Sequence, residues 1–424
     1  MAEMKDSGIE WIGMIPKNWN VDKIKYHLKR NEPKNPGNVE VLSVYREYGV
    51  IPKNSRDDNH NITSEDTSKY KYVKKGDLVI NKMKAWQGSM GVSEYEGIVS
   101  PAYFVYNFTD NYFDKKYFHF LIRNCYKDEF RRISGGIREG QWDLSADLFA
   151  NELVLIPPIK EQIKIVEFLN TKCAEIDTLY SDIEKQIETL EEYKKSIITE
   201  AVTKGLDPDV EMKDSGIELI GQIPNEWKIS RLGWISKKIG DGIHGTVTFE
   251  DGETNFYFIN GNNIKKRNIA IKDNTQRITE RIYNTYKTNL TTHTILISLN
   301  GTIGNLAFYN NENVLLGKSV GFIELKEEYN REYIYYLLQA NYIKTIFELS
   351  FAGTTINNLS LQTLRKTNVL LPPKTEQKKI VKYLDKKCAE IDGAIEEKKE
   401  QLDTLEQYKK SVIYEYVTGK KEVQ

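Results

Sequence analysis

The sequence has few cysteines and no long apolar run. Only 3 cysteines occur among 424 residues, too few for the disulfide framework of a small secreted protein. No stretch approaches about 18 consecutive apolar residues, the length that a membrane-spanning helix needs. The N-terminus also lacks the pattern of a signal peptide. We therefore expect a soluble, cytoplasmic protein whose cysteines are buried as small apolar side chains.

Motifs for catalysis and for bound cofactors are also missing. Gly317-Lys318-Ser319 resembles the end of a phosphate-binding loop, but that loop needs a glycine five residues earlier, where the chain has Glu312. No Asp, Asn or Ser precedes a Pro-Pro-aromatic sequence, as an amino-methyltransferase requires. The 5 histidines are scattered without the spacing of metal ligands. The sequence thus predicts a protein with no catalytic site, metal or cofactor of its own.

The net charge of the chain does not indicate a partner. The distribution of charge along the chain gives mild support for two basic globular parts. The chain has 60 Lys and Arg against 61 Asp and Glu. Residues 20–154 contain 21 basic and 19 acidic side chains, and residues 228–369 contain 17 and 12. The balance of the chain is therefore acidic, as expected for solvated helical faces. This distribution predicts two basic globular parts on a scaffold of mixed charge.

A long charged segment occurs twice, and each copy predicts a helix. The first copy follows Pro157-Pro158, and neither proline nor glycine occurs again until Gly205. Apolar residues recur in alternating steps of four and three, which is the a/d seam of a coiled coil. About 45 residues would make a helix of roughly 65 Å. Lys194 and Lys409 interrupt the seam at matching positions, where we expect the helix pair to open toward partner subunits.

The repeated helix belongs to a larger duplication. MKDSGIEWIGMIPKNW, from Met4, returns as MKDSGIELIGQIPNEW, from Met212, so each copy contains an anchor, a globular domain and a long helix. Only about twenty residues separate the first helix from the second domain, so the second helix must run back antiparallel to the first. The predicted segments are an N-terminal anchor (1–19), a first domain (20–156), a first helix (157–205), a linker with the repeated anchor (206–227), a second domain (228–371) and a second helix (372–424).

Both globular domains show the pattern of a mixed fold. Short β-type runs separated by glycine and asparagine turns precede a helical pattern, over residues 114–133 in the first domain and 330–349 in the second. The predicted fold class is α+β. Two mixed α/β domains are joined by two long helices that form an antiparallel intramolecular coiled coil with pseudo-two-fold symmetry.

The candidate functional residues are basic, amide and aromatic side chains in glycine-containing loops. Arg and Lys pair with guanine edges and with phosphates, whereas Asn and Gln pair with adenine edges. Ordinary polar turns explain many such residues individually, so the loops carry the prediction only as a set. In the first domain the candidates are Arg46, Lys53, Arg56, Lys82, Lys84, Trp86, Gln87, Arg138, Gln141 and Trp142. In the second domain they are His244, Thr246, Asn262, Asn263, Lys265, Lys266, Arg267, Asn300, Thr302, Thr354, Thr355 and Asn357.

Taken together, these features resemble the specificity (S) subunits of type I restriction-modification systems. The resemblance rests on the duplicated SGIEWIG-IP-W anchors, the two divergent domains and the EQ-KIV-(F/Y)L-(N/D)-KCAEID…LE-YKKS helices. It implies that each domain is a target recognition domain for one half of a split double-stranded DNA sequence. It also implies that the paired helices set the gap between the half-sites.

The resemblance also implies the partners. Two modification (methyltransferase) subunits would dock on the helices and bring S-adenosylmethionine. Restriction subunits would add translocase and nuclease activity with ATP and magnesium. A non-catalytic subunit agrees with the missing motifs. The alternative is a coiled-coil adaptor whose two domains bind ligands other than DNA, whereas an independent methyltransferase or nuclease is disfavoured because its motifs are absent.

Overall fold

The chain forms two compact units. A computed structural model describes residues 3–37, 39–46, 48–56, 66–136, 142–250, 252, 254–351 and 357–423. The first unit comprises Met1–Ile183 and Lys399–Gln424, and the second comprises Glu184–Lys398. Each unit contains one globular domain and parts of both long helices. None of the helices in the described ranges is both long enough and apolar enough to span a lipid bilayer.

Short strands dominate the first globular domain and its anchor. The strands are β1 (Met4–Asp6), β2 (Met14–Pro16), β3 (Asn20–Lys23), β4 (Leu28–Arg30), β5 (Leu42–Tyr45), β6 (Gly49–Pro52), β7 (Lys71–Val73), β8 (Leu78–Asn81), β9 (Met90–Val92), β10 (Gly97–Val99), β11 (Tyr103–Phe108), β12 (Ser134–Gly135), β13 (Asp143–Leu144) and β14 (Leu153–Ile156). The helices are α1 (Lys115–Cys125), α2 (Lys127–Arg132) and α3 (Ala146–Asn151).

A four-stranded antiparallel sheet forms the centre of this domain, in the order β4-β11-β8-β9. The central strand β8 is a continuous apolar run because both of its faces are covered: Leu78, Val79 and Ile80 are completely buried. Asp114 caps the N-terminus of helix α1, because its side chain accepts hydrogen bonds from two backbone N–H groups of the first turn. Strand β14 pairs with β3, so the first and last strands of the domain lie side by side.

Helix α4 (Ile159–Lys204) begins directly after the proline pair. The buried Gln162 side chain donates to the Pro157 carbonyl at 2.7 Å and closes the turn that precedes the helix. Trp19 of the anchor is 2% exposed, and its indole N–H donates to Glu161 at 2.7 Å. The glutamate and the glutamine after the prolines therefore have distinct structural functions, docking of the anchor and capping of the helix start.

The second unit repeats this set of elements. Its strands are β15 (Met212–Asp214), β16 (Gln222–Pro224), β17 (Lys228–Arg231), β18 (Ser236–Asp241), β19 (Tyr257–Ile259), β20 (Ile264–Lys265), β21 (Asn268–Ile269), β22 (Thr294–Ser298), β23 (Leu306–Phe308), β24 (Val314–Leu316), β25 (Val320–Leu325) and β26 (Asn368–Leu371). Its helices are α5 (Leu232–Ile235), α6 (Glu280–Tyr286), α7 (Arg331–Leu337), α8 (Asn341–Phe351) and α9 (Leu361–Lys366), followed by the long helix α10 (Lys374–Val417).

The two domains share one sheet plan despite their divergent sequences. The second domain has a four-stranded antiparallel sheet in the order β18-β25-β22-β23, which corresponds strand for strand to the first. Its first and last strands, β17 and β26, also pair. The anchor again docks on the start of the long helix, because the Trp227 indole donates to Glu376 at 3.0 Å. The mixed α+β fold class is confirmed in both units.

The long helices run antiparallel in the first unit. Near the start of α4, the Phe168 ring lies 4.3 Å from that of Tyr416, near the end of α10. Further along α4, Asp177 pairs with Lys409 at 2.6 Å. Residue numbers thus rise along one helix while they fall along the other. The predicted antiparallel pairing is confirmed here.

The second unit shows the same pairing. Lys194 of α4 pairs with Asp392 of α10 at 2.5 Å, and the Lys398 ammonium group donates to Gln186 at 2.5 Å. Lys194 and Lys409 therefore each form an ion pair with the other long helix. Each of these ammonium groups contacts an aspartate of the other long helix, so the seam does not open at Lys194 or Lys409. That partner subunits dock there stays a prediction.

Candidate nucleic-acid interface

One backbone hydrogen bond places the candidate loops of the two domains at equivalent points of their sheets. In the first domain, Leu144 N–H donates to the Lys82 carbonyl directly after β8, at 2.9 Å. In the second, Leu359 N–H donates to the Leu299 carbonyl directly after β22, at 2.8 Å. The loop after the central strand is thus tied in both domains to the segment that precedes the last short helix. Both domains therefore present their polar loops at the same end of the four-stranded sheet, the end at which β8 and β22 finish.

The loop after β8 is a short 3-10 turn over Ala85–Gln87. Ala85 is completely buried and fixes the turn to the domain, whereas Met83 is 45% exposed. Gly88 ends the turn with φ of 88°, a left-handed conformation that glycine adopts without strain. The buried Ala85 and the left-handed Gly88 define the conformation of the turn, on which Lys84 is exposed.

Lys82 and the two tryptophans meet on one side of this turn. The Lys82 ammonium group pairs with Asp143 at 2.9 Å. The rings of Trp86 and Trp142 lie 5.7 Å apart, and both tryptophans are half-buried. The Trp86 indole N–H donates to the Met83 carbonyl at 3.1 Å, which fixes the ring. The structure therefore brings Lys82, Trp86 and Trp142 together, with Lys84 and Gln87 on the same turn.

The β5–β6 hairpin carries a second group of candidates in the first domain. The Arg56 guanidinium lies 4.5 Å from the centre of the Tyr48 ring, and Tyr48 is 54% exposed. Lys53 begins a short 3-10 turn after β6, and Arg46 lies in the hairpin turn. The Ser89 hydroxyl donates to the Val44 carbonyl at 2.8 Å, so the hairpin adjoins the end of the loop after β8.

His119 and Arg123 of α1 contact this hairpin, and no sequence pattern predicted either contact. His119 of α1 accepts a hydrogen bond from Val92 N–H at 3.1 Å. Arg123, one helical turn further on, donates to the Arg46 carbonyl. Burial, together with the charge of Arg123, lowers the pKa of His119 to about 4. The imidazole is thus neutral at physiological pH and supports the hairpin without adding charge.

In the second domain, three turns converge around Gly261. Its N–H donates to the Ser319 hydroxyl at 2.9 Å, and a Cβ at this position would lie 3.3 Å from the Asn300 carbonyl oxygen. Asn262, next in the chain, is exposed. Asn263 instead donates to the Ala270 carbonyl at 2.8 Å, so its side chain holds the turn together.

Further candidates surround these turns. Asn300 forms a backbone bridge with Asn358, which places the exposed Asn357 beside the loop after β22. Thr302, in that loop, is also exposed. These side chains lie at the same end of the sheet as Asn262.

The segment after β18 approaches the same group. Ile243 N–H donates to the Leu316 carbonyl at 2.8 Å. A Cβ on Gly242 would lie 2.1 Å from that carbonyl oxygen, so only glycine fits there. The exposed His244 pairs with Asp241 at 2.7 Å, and Thr246 is exposed nearby.

The β20–β21 hairpin separates its three basic residues. Lys265 and Lys266 are exposed, whereas Arg267 pairs with Asp385 of α10 at 2.6 Å. Arg267 thus faces the long helix. Four further candidates lie outside the described residues: Arg138, Gln141, Thr354 and Thr355.

One basic residue at this surface, Lys318, was not among the candidates predicted from the sequence. Lys318 is exposed in the turn between β24 and β25, adjacent to Ser319, which bonds the turn at Gly261. Gly317-Lys318-Ser319, which lacks the first glycine of a phosphate-binding loop, forms the turn between β24 and β25. Only the pairing of sequence-distant turns shows that the loop belongs with the candidate residues.

Comparison with known proteins identifies the family. The model of the type I restriction modification DNA specificity domain matches residues 20–189 and 224–407. The match covers both globular domains and most of both long helices, and the chain belongs to this family.

Individual relatives match over nearly the whole chain. The MjaX putative specificity subunit of Methanocaldococcus jannaschii is 24% identical over 452 residues, covering 96% of this chain and 95% of its own length. The MjaVIII specificity subunit of the same organism is 25% identical, covering 96% and 93%. A solved structure from a study of type I R-M complex assembly and conformational transition superposes with a TM-score of 0.67 at 15% identity, covering 95% of this chain and 98% of its own. This last similarity concerns the fold.

Proposed function

We propose that this chain is the DNA-recognition subunit of a type I restriction-modification complex. Each globular domain reads one half of a bipartite duplex site. The paired helices hold the two domains at the distance that sets the gap. The observation that carries the proposal is the shared position of the loops after β8 and β22, which presents basic, amide and aromatic side chains at the same end of the sheet in both domains.

The chemistry of these loops suits base reading and phosphate contact. Exposed Lys84, Lys265 and Lys266 match phosphate oxygens, which carry affinity but little sequence information. Asn262 and Gln87 have amides that can pair bidentately with an adenine edge. Because the two domains carry different side chains at equivalent places, they would read different half-sites.

Partner subunits supply the chemistry in this proposal. Two modification subunits dock on the long helices and bring S-adenosylmethionine for adenine methylation. Restriction subunits join that core and use ATP and magnesium. The specificity subunit contributes the position of the DNA and no reacting group.

Selection of bound DNA tests the proposal. The chain, reconstituted with its modification subunits, is incubated with a random duplex library, and the retained duplexes are sequenced. The expected result is one shared motif of two short blocks separated by a constant gap, with affinity that falls steeply as salt increases. Retained duplexes without a shared two-part motif would contradict the proposal and point to an adaptor that binds other ligands.

A further inference from the structure

The tip of the β20–β21 hairpin has an unusual backbone. Lys265 pairs with Asn268, so Lys266 and Arg267 form a two-residue turn. Their φ angles are 38° and 72°. A two-residue turn needs such positive φ angles to match the twist of the two hairpin strands. Asn and Gly adopt this conformation easily, whereas long side chains are strained in it. The contacts of Arg267 account for this strained choice.

Arg267 is fixed to the long helix by charge and by aromatic rings. Its guanidinium donates to Asp385 Oδ1 at 2.6 Å, and the Tyr336 hydroxyl donates to the same oxygen at 2.8 Å. The guanidinium carbon lies 5.0 Å from the ring centres of Tyr335 and Tyr336 and 5.6 Å from that of Phe308. Cation–π attraction and a charge-assisted hydrogen bond together favour one orientation of this side chain.

The backbone of the same residue is bound to the recognition sheet. Arg267 N–H donates to the Leu306 carbonyl at 3.2 Å, and Phe308 N–H donates to the Arg267 carbonyl at 2.8 Å. Both partners belong to β23, the edge strand of the four-stranded sheet. One residue thus connects the sheet to α10.

The joint around this connection is close-packed on its inner side, where Leu384 and Cys388 of α10 belong to the same buried apolar core as Leu306 and Phe308. A cavity of about 310 Å³ lies beside it, and its lining includes Arg267, Asp385, Lys194 and Cys388. Where side chains interdigitate, packing alone resists small rotations of one element on another. Apolar packing therefore holds β23 against α10, and the polar link at the open side of the joint adds contacts of fixed direction.

The first unit offers a comparison, because its helix α1 contacts a long helix at the place that matches the contact of α7 in the second unit. The Tyr117 hydroxyl donates to the Val417 carbonyl at 2.8 Å, and the Tyr333 hydroxyl of α7 donates to the Val202 carbonyl at 3.4 Å. The two acceptors occupy matching places in the two long helices. Helices α1 and α7 are therefore equivalent, and residues three positions further on can be compared.

The residues that form the link differ between the units. Phe120 of α1 stands where α7 has Tyr336, and Asn170 of α4 stands where α10 has Asp385. Phenylalanine has no hydroxyl to donate, and a neutral amide cannot form the ion pair. Within the described residues, the two partners of Arg267 in this link thus have no counterparts at the equivalent places of the first unit.

We propose that Arg267 is a positioning residue that sets the orientation of the second recognition domain on α10 and thereby makes DNA recognition selective for one gap length. The inference rests on the proposed function. It gives Arg267 a role apart from Lys265 and Lys266, whose ammonium groups remain available to DNA.

The test compares gap selectivity with overall affinity. The complex of the chain with its modification subunits is titrated, at several salt concentrations, with duplexes that carry the selected site at its natural gap or with one base pair added or removed. Arg267→Ala and Asp385→Asn are each expected to reduce the preference for the natural gap by about tenfold, the size of a lost charge-assisted hydrogen bond. The salt dependence should remain unchanged, because no phosphate contact is lost.

Matched variants complete the design. Lys265→Ala removes a neighbouring exposed charge that is proposed to contact phosphate, so it should weaken binding at every gap by the same factor and leave the gap preference unchanged. The exchange Arg267→Asp with Asp385→Arg should restore part of the preference, which a general loss of stability would not allow. Arg267→Lys keeps the charge but lacks the planar fork, and it serves as the reduced-preference variant if Arg267→Ala does not fold.

Two outcomes would overturn the inference. One is an Arg267→Ala complex that binds every gap more weakly by the same factor, with a salt slope reduced by about one, since that is the behaviour of a phosphate contact. The other is an unchanged gap preference in all the variants. A wild-type complex that selects no two-part site would instead refute the proposed function. Coupling of Arg267→Ala and Asp385→Asn in the unfolding of the full chain would then still report the link.

Discussion

At the scale of single residues, contacts rather than residue type decide which side chains are available to DNA. Lys82 pairs with Asp143 and Lys194 pairs with Asp392, whereas Lys318 is exposed at the convergence of three turns. A partly exposed ion pair contributes little to stability, but it competes with a phosphate for the ammonium group. Exposed lysines in the loops at this end of the sheet should therefore contribute most to the affinity for DNA.

Lys318→Ala is predicted to weaken DNA binding without changing the bases selected. A phosphate contact contributes affinity on any sequence, so the logarithmic salt slope should fall by about one. The measurement is a salt titration of the reconstituted complex on its selected duplex. Lys228→Ala is the control, because this exposed lysine lies on β17, which pairs with β26 at the base of the domain. Equal slopes for both variants would argue against a role for Lys318.

A second residue-scale prediction concerns pH. Burial and the neighbouring Glu129 carboxyl raise the pKa of Glu152 to about 7, while a hydrogen bond from Arg132 lowers that of Glu129. The folded chain thus holds a proton on Glu152 that the unfolded chain releases near pH 4.5. Folded-state stability contributed by this proton is present below about pH 4.5 and is lost as the pH rises through about 7.

Glu152→Gln is predicted to remove that part of the pH dependence. An amide has the shape of the protonated carboxyl and does not titrate, so the variant should lose less stability than the wild type between pH 5 and about 8. Chemical denaturation at a series of pH values measures the difference. Parallel pH profiles for the two proteins would show that Glu152 is already ionised in the folded chain.

Residue roles were the least predictable feature of the sequence. Asn263 fits the pattern of a base-reading amide, yet it bonds the Ala270 carbonyl across the β20–β21 hairpin. Arg267 follows two lysines and resembles part of a basic cluster, yet it faces α10. Both assignments depend on partners that a local pattern does not contain, and the same is true of Lys318.

At the scale of elements, local signals predicted the helices well. Proline pairs and an apolar seam located α4 and α10, because both signals act within a few turns of the chain. Residues 330–349 were predicted as one helix but form α7 and α8. The break frees the Asn341 N–H, which donates to the Thr199 hydroxyl of α4 at 3.0 Å. Packing on the long helix thus overrides the local helical pattern.

The order of the strands was beyond sequence patterns. Strand β11 lies between β4 and β8, and β4 is separated from β11 by more than seventy residues of chain. Such pairing depends on the whole domain and leaves no local signal. The anchor was recognised as a repeat, but its docking through Trp19 and Glu161 was not predicted.

The anchor contact allows an element-scale prediction. Trp19→Phe keeps an aromatic ring in the core but removes the indole N–H from Glu161, so the free energy of unfolding should fall by about 2 kcal/mol. Chemical denaturation followed by circular dichroism measures it. Trp234→Phe is the matched control: Trp234 is 63% exposed, and its loss should change stability by less than about 0.5 kcal/mol. Equal effects would mean that the anchor hydrogen bond is not important for stability.

At the scale of the whole molecule, the duplication conserves one frame and varies what it carries. The anchors, the proline pairs and the two aspartate–lysine pairs recur at matching places. The loops after β8 and β22 differ in nearly every side chain. A frame that is kept while its loops diverge suits a protein in which spacing and sequence readout are separate properties.

That separation is the central claim, and a change in helix length tests it most directly. Three heptads are inserted after Ile183 in α4 and three after Lys398 in α10, so that the antiparallel seam stays in register. The added length is about 31 Å, close to one turn of DNA at roughly 34 Å, which keeps both domains facing the same side of the duplex. Retained duplexes from a random library are then sequenced for the wild-type and lengthened complexes. The account predicts the same two half-sites with a gap longer by about nine or ten base pairs; an unchanged gap, or altered half-sites, would contradict it.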